Sequence, residues 1–405
     1  MKISSNMRLV YGSESATFID KLFCIYISLL PITLLYNFPA LNIGIATVLL
    51  FVFVPHFLLH ILVVKRGKAE FSVLLFFILY LYLSFRAEGN IRQVLVNIAV
   101  FLGLWAISKG ALKEDTFREY LERFALINAI LICIQTVSHY ILKTNISFVA
   151  YSLLQSNYQE TYLGVSSLDS LYRPCALFLE PAHFSQYCLF ALISVLFTKK
   201  SKINIKRAIL ILMGIVLTTS GMGILMSAFV IGWYVLLKRD NFSKHIKRIL
   251  GWSVAAAVAF IVLLQIPFFQ SALQRVFSSF EGYNAIQGRT GNWSEALSGM
   301  VGADRWFGYG GEHSYRWYLS GMPDTIYRFG IVGVAIQGLI FLYLVVKRTD
   351  NYVICCTVVF IALFCVAHLT GALTQMFYFA VIMTHVTNKS HKRVSLRELA
   401  REDQK

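Results

Sequence analysis

Charge is scarce in this 405-residue sequence: only 14% of its residues are Asp, Glu, Lys or Arg. An ordinary soluble domain has about 25%. A soluble chain of this length divides into two or three domains with polar surfaces, and there are too few polar residues here to cover them. A cysteine framework is also missing. The seven cysteines, at 24, 133, 175, 188, 355, 356 and 365, show no ligand spacing. All but Cys175 lie in or at the ends of apolar runs, where cysteine behaves as a small hydrophobe. That pattern excludes a disulfide scaffold and argues against a structural metal. Nucleotide signatures are absent as well: there is no D-x-D pair, no P-loop and no G-x-S-x-G elbow.

What the sequence has instead is apolar bulk. It is 57% hydrophobic and 15% aromatic, with 32 Phe and 21 Tyr. A helix that crosses the hydrocarbon needs roughly 20 apolar residues. Twelve segments approach that: 22–37, 41–64, 71–85, 91–108, 124–142, 184–198, 205–220, 221–237, 249–266, 325–346, 352–368 and 371–387. The expected fold is therefore all-α and polytopic, a single transmembrane domain over 1–405. The pair within 205–237 is expected to be a hairpin broken at Thr218-Thr219-Ser220-Gly221. The first span shows no cleavage signal and is expected to be retained.

Basic residues orient the spans, because cytoplasmic loops carry the excess of Lys and Arg. With both termini cytoplasmic, 28 of the 37 Lys and Arg fall inside and 9 outside. The acidic residues divide 12 inside and 9 outside, so the whole net charge of +16 sits on the inner side. That is topology signal and attraction to lipid headgroups, and no nucleic-acid partner is implied. The outer set is eight Arg and one Lys, whereas Lys outnumbers Arg inside. Arginine offers a bidentate fork for phosphate or carboxylate; helix-end snorkelling is the plainer account. His56, His60 and His139 are the main ionisable side chains near the membrane interior. Each reads as a packed histidine rather than a proton relay, and the scarcity of such groups weakens a transporter reading.

Two long external loops are expected, at 143–183 and 267–324, and loops of this length are commonly functional. The first ends in Tyr172-Arg173-Pro174-Cys175-Ala176-Leu177-Phe178-Leu179-Glu180-Pro181-Ala182-His183-Phe184. Its prolines stiffen an entrance that carries Arg173, Glu180 and His183. Arg173 is a candidate phosphate ligand and Glu180 a candidate base; a plain Arg–Glu anchor explains the pair equally well. The second loop holds Gly288-Arg289-Thr290-Gly291-Asn292-Trp293, with a short helix expected over 290–300 that sets Arg289 and Trp293 one turn apart. Arg305 and Trp306-Phe307-Gly308-Tyr309-Gly310-Gly311-Glu312-His313-Ser314-Tyr315-Arg316-Trp317 follow. Aromatic faces beside Arg and Glu suit sugar rings; an interfacial aromatic belt is the alternative.

At these residues the sequence resembles the bacterial O-antigen polymerase and O-antigen ligase superfamily. Arg173-Pro174 to Glu180-Pro181, with Phe178, is similar to its R-x-x-x-x-F-x-E-P entrance motif. The Ser220-Gly221 turn is similar to its serine-containing turn. Gly288-Arg289 with Trp293, then Gly308-x-Gly310, resembles its G-R-x-x-x-W … G-x-G pattern. His313, followed by Gly330-Ile331-Val332-Gly333, resembles its histidine and downstream G-x-x-G. The chain departs from many members at Ser314 and at Gly221.

The resemblance implies a C-type glycosyltransferase of the bacterial inner membrane, acting at the periplasmic face. Its substrate would be an oligosaccharide on polyprenyl diphosphate, and it would need no cofactor or metal. Implied partners are membrane lipids and the flippase and chain-length regulator of the same pathway. It further implies catalytic roles for Arg289, His313, Glu180 and Arg173. Trp293, Tyr309, Arg316, Arg305, His183 and Ser220 would bind substrate. Polymerase is favoured by the Glu180-Pro181 motif. Ligase, and a transporter or flippase of the lipid-linked unit, are the alternatives.

Overall fold

The structure, a computed structural model, describes residues 16–38, 43–63, 71–86, 91–155, 172–197, 204–237, 285–310, 319–347, 351–367, 369 and 371–383. These residues are mostly helical. The helices are α1 (Phe18–Thr33), α2 (Ile45–Val63), α3 (Phe71–Arg86), α4 (Ile91–Ser108), α5 (Glu114–Tyr140), α6 (Pro181–Leu196), α7 (Ile205–Leu217), α8 (Gly221–Leu237), α9 (Ala285–Ser298), α10 (Ala303–Phe307), α11 (Gly321–Lys347) and α12 (Asn351–Val366). A further helix, α13, covers Ala372–Met383. Two short strands, β1 (Asn37–Phe38) and β2 (Ile43–Gly44), pair antiparallel between α1 and α2.

Among the described residues, four helices are long and apolar enough to cross a membrane: α2, α4, α5 and residues Gly321–Leu344 of α11. Four shorter apolar helices accompany them: α6, α8, α13 and Asn351–Cys365 within α12. Their outward faces carry apolar side chains that water would not favour. Val52, Leu62, Leu225 and Val346 are 61–72% exposed. Such faces suit hydrocarbon surroundings, and the arrangement is consistent with a membrane-embedded protein. A helix lies at eleven of the twelve expected spans; the segment 249–266 falls outside the described residues.

The described residues belong to two compact units. One draws on Met1–Phe124, Ser152–Gln155 and Asn292–Lys405, the other on Ala125–Tyr151 and Ser156–Gly291. In the first, Gly103 of α4 lets helices close up: a Cβ there would meet Met376 Cε at 2.5 Å and the Phe57 ring at 3.2 Å. Phe76 packs edge-on to Phe379 at 4.0 Å. In the second unit small residues do the same work. A Cβ on Gly214 would meet Ala129 at 2.9 Å, and one on Gly223 would meet Ser185 at 2.5 Å.

Residues 109–123 are expected as a loop, yet α5 begins at Glu114. Two pairs at i,i+4 support the extra turns, Glu114 with Arg118 at 3.3 Å and Glu119 with Arg123 at 2.5 Å. Phe117 and Leu121 are buried on the same side as Glu114 and Arg118, while Glu119 and Arg123 face outward. Apolar run length alone misses this polar, amphipathic start. The break at 218–220 expected between α7 and α8 is present, with Thr219 at φ 52°.

Candidate functional site

The entrance segment belongs to the second unit and is held by side-chain amides of α5. Gln135 Oε1 accepts from the backbone N–H of Cys175 at 3.1 Å and of Ala176 at 2.8 Å. Asn128 Oδ1 accepts from Leu177 N–H at 3.3 Å. The Gln135 amide also donates to the Ile146 carbonyl at 3.0 Å, so one side chain ties together both described ends of the first loop. Ala176 sits at φ 53°, a conformation L residues reach only when neighbours hold it. Phe178 is buried, its ring 6.0 Å from Phe184 and 5.5 Å from Tyr187.

This anchoring brings the charged groups of the motif around one sulfur. Burial pushes the Cys175 thiol up to about 12; the Arg173 charge opposes that rise and the Glu180 charge adds to it. Glu180 is the N-cap of α6, followed by Pro181 in the first turn, and its carboxylate makes no capping hydrogen bond. His183 N–H donates to the Glu180 carbonyl at 3.1 Å, so the half-buried His183 lies in the first turn of the same helix.

The Ser220 turn adjoins this helix start. Ser185, just past the first turn of α6, shares a hydrogen bond with Thr218 at 3.0 Å. Ser220 Oγ accepts from Gly223 N–H at 3.4 Å and caps α8. Thr219 Oγ1 is buried and has no hydrogen-bond partner among the described residues. Arg173, Glu180, His183 and Ser220 therefore lie on neighbouring segments of the second unit. The expected packed role of His139 is seen nearby: its ring stacks on Tyr172 at 4.1 Å and its Nδ1 meets Asn145 Oδ1 at 2.6 Å.

In the second loop the expected helix over 290–300 is α9, which starts earlier and includes Arg289. Trp293 packs against a cluster of Ala296, Met300, Leu319 and Tyr327, with Tyr309 beside it. Its indole Nε1 is buried and has no hydrogen-bond partner among the described residues. Tyr309 stacks obliquely on Tyr327 at 4.9 Å, and its hydroxyl donates to the Gly299 carbonyl at 3.3 Å. Arg305 is exposed on α10. Arg328 is held by Asp324, Nε to Oδ1 at 2.8 Å. His313 and Arg316 lie outside the described residues.

The two glycine motifs meet each other. Tyr309 N–H donates to the Tyr327 carbonyl at 3.0 Å and Gly310 N–H to the Arg328 carbonyl at 2.9 Å. A Cβ on Gly308 would overlap the Arg328 carbonyl, and one on Gly330 would overlap the Trp306 carbonyl. Gly308 and Gly330 have φ of 71° and 66°, and α11 is broken at Gly330.

One group of chemically capable residues was not anticipated. Asp20, expected in the segment before the first span, is buried in the first turn of α1. His56 and His60 approach it from α2 at 3.5 and 3.6 Å. Their i,i+4 spacing on one helix was the available signal; nothing in the sequence pattern ties them to Asp20. No family model matches the chain, and no curated protein matches it.

Proposed function

We propose that this protein is a polysaccharide polymerase of the bacterial inner membrane, with twelve spans and both termini cytoplasmic. It would join oligosaccharide repeats carried on polyprenyl diphosphate at the periplasmic face. The observation that carries this reading is the entrance assembly: Gln135 and Asn128 clamp the Arg173–Glu180 segment rigidly beside the polar Ser220 turn. Such preorganisation is what positioning and charge stabilisation need. The indole N–H of Trp293, buried and without a hydrogen-bond partner among the described residues, supports a sugar subsite, since an aromatic face with a donor at its edge fits a hydroxylated ring.

In this mechanism an acceptor hydroxyl on the incoming repeat attacks the anomeric carbon of the growing chain. The anomeric C–O bond to the diphosphate breaks, and the leaving group takes the electron pair. The hydroxyl proton passes to His313 or Glu180. Arg289 and Arg173 neutralise the charge that develops on the diphosphate. Trp293, Tyr309, Arg305, Arg316, His183 and Ser220 position the glycan. No nucleotide is needed, because the diphosphate supplies the driving force.

The test is the glycan ladder of a strain that lacks the gene. Loss of a polymerase leaves lipopolysaccharide with a single repeat. Loss of a ligase leaves bare core with polymer on the lipid carrier. Loss of a flippase leaves bare core with single lipid-linked units on the cytoplasmic side. The single-repeat pattern is expected, and bare core would reject the assignment.

A further inference from the structure

Asp20, His56 and His60 form a cluster in the first unit. They are 2%, 5% and 1% exposed. The three side chains each offer a ligand atom, and those atoms lie within 4.8 Å of one another. The surroundings are aromatic: Phe23 lies 5.7 Å from the His56 ring and Phe57 6.5 Å. A carboxylate buried there is costly unless its charge is met.

The carboxylate is divided between two tasks. Oδ2 accepts from Thr17 N–H at 2.9 Å, while Thr17 Oγ1 accepts from Asp20 N–H at 3.2 Å. This capping box fixes the orientation of Asp20. Oδ1 is left pointing at both imidazoles and has no hydrogen-bond partner among the described residues. Both histidines turn Nε2 toward it, at 3.5 and 3.6 Å. These separations are too long for N–H···O hydrogen bonds, which run about 2.7–3.2 Å. They are close to the edge of a tetrahedron, about 3.3 Å, around an ion with ligands at about 2.0–2.1 Å.

We propose that Asp20, His56 and His60 bind a divalent first-row transition-metal ion, with Zn2+ the best fit. Two neutral imidazoles and one carboxylate are a preferred donor set for such ions. Three protein ligands leave a fourth position for water. The Thr17 cap is the outer partner that aims the carboxylate. Cys24, one turn further along α1, donates its thiol to the Lys113 carbonyl at 3.8 Å and is not a ligand. The ion joins the first turn of α1 to the last turns of α2. This inference stands independently of the polymerase proposal.

The test is metal analysis of the full chain purified in detergent without chelators. About one zinc per chain is expected, with Asp20→Asn and His60→Ala each losing it. If the ligand variants fail to fold, cobalt decides on the wild type: chelator-treated protein titrated with Co2+ should develop the visible absorption of a tetrahedral site. A monodisperse wild type with neither zinc nor a cobalt spectrum overturns the proposal and leaves a His–Asp ion pair. Zinc retained in all the ligand variants also overturns it, because the ion then sits elsewhere.

Discussion

Gly308 and Gly330 occupy reciprocal positions: each lets the backbone next to the other pass where a Cβ would stand. Both have positive φ, and the Tyr309–Tyr327 and Gly310–Arg328 hydrogen bonds close the contact. Gly308→Ala and Gly330→Ala should each cost about 2 kcal/mol or more, combining left-handed strain with overpacking. Thermal unfolding in detergent measures this. Each single variant already disrupts the same contact, so the double variant should cost less than the sum of the two. Full additivity would contradict the pairing.

Gln135 satisfies two backbone donors of the entrance segment. Gln135→Leu leaves both without a partner and should cost about 2 kcal/mol or more. It should also reduce polymer length in cells at normal protein level, because the segment carrying Arg173 and Glu180 is released. Wild-type chain length in this variant would remove the entrance from the mechanism.

The Cys175 thiol, raised to about 12 by burial, should stay protonated through the neutral range. Maleimide labelling read by peptide mapping should leave Cys175 unmodified at pH 7–9 in the folded protein and label it after detergent denaturation. The sign follows from the shift: the unfolded thiol ionises at lower pH, so this group's contribution to stability is full below about pH 8.5 and declines above it. Rapid labelling of the folded chain at pH 7 would contradict the raised thiol.

Much of the helical plan was legible in the sequence. The bounds expected for 91–108 and 221–237 coincide with α4 and α8, because both largely apolar runs have sharp polar or glycine ends, Gly89-Asn90 and Lys109-Gly110 for the first and Lys238-Arg239 for the second. α5 was underestimated because its first turns are stabilised by ion pairs, which a search for apolar runs ignores. The motif residues of the entrance were visible as Arg173, Glu180 and Pro181, but their support was not. Gln135 and Asn128 lie 40 and 49 residues before the backbone groups they bind, and no periodicity marks such a long-range pair. Asp20 was hidden for the same reason, since its histidine partners come from another helix.

Charge identity separates phosphate recognition from anchoring. Arg289→Lys should lose most activity while the protein level stays normal, because lysine lacks the bidentate fork. Arg173→Lys should follow it. Lysine at Arg393 or Arg397, outside the described residues, should be silent. Full activity in both of the first two variants would leave them as helix anchors.

Topology is checked by reporter fusions. Fusions after residues 155 and 300 should read periplasmic, and those after 67, 202, 243 and 395 cytoplasmic. A cytoplasmic signal at 300 would put the second loop in the wrong compartment for a lipid-linked donor.

The most direct measurement is reconstitution of the purified full chain in vesicles with repeats linked to polyprenyl diphosphate and no nucleotide. The account predicts oligomers of two or more repeats on the lipid carrier, with one polyprenyl diphosphate released for each bond formed, and loss of both products in His313→Ala. Lipid-linked single repeats that stay covalently unchanged, or that move only onto added lipid A–core, would contradict it.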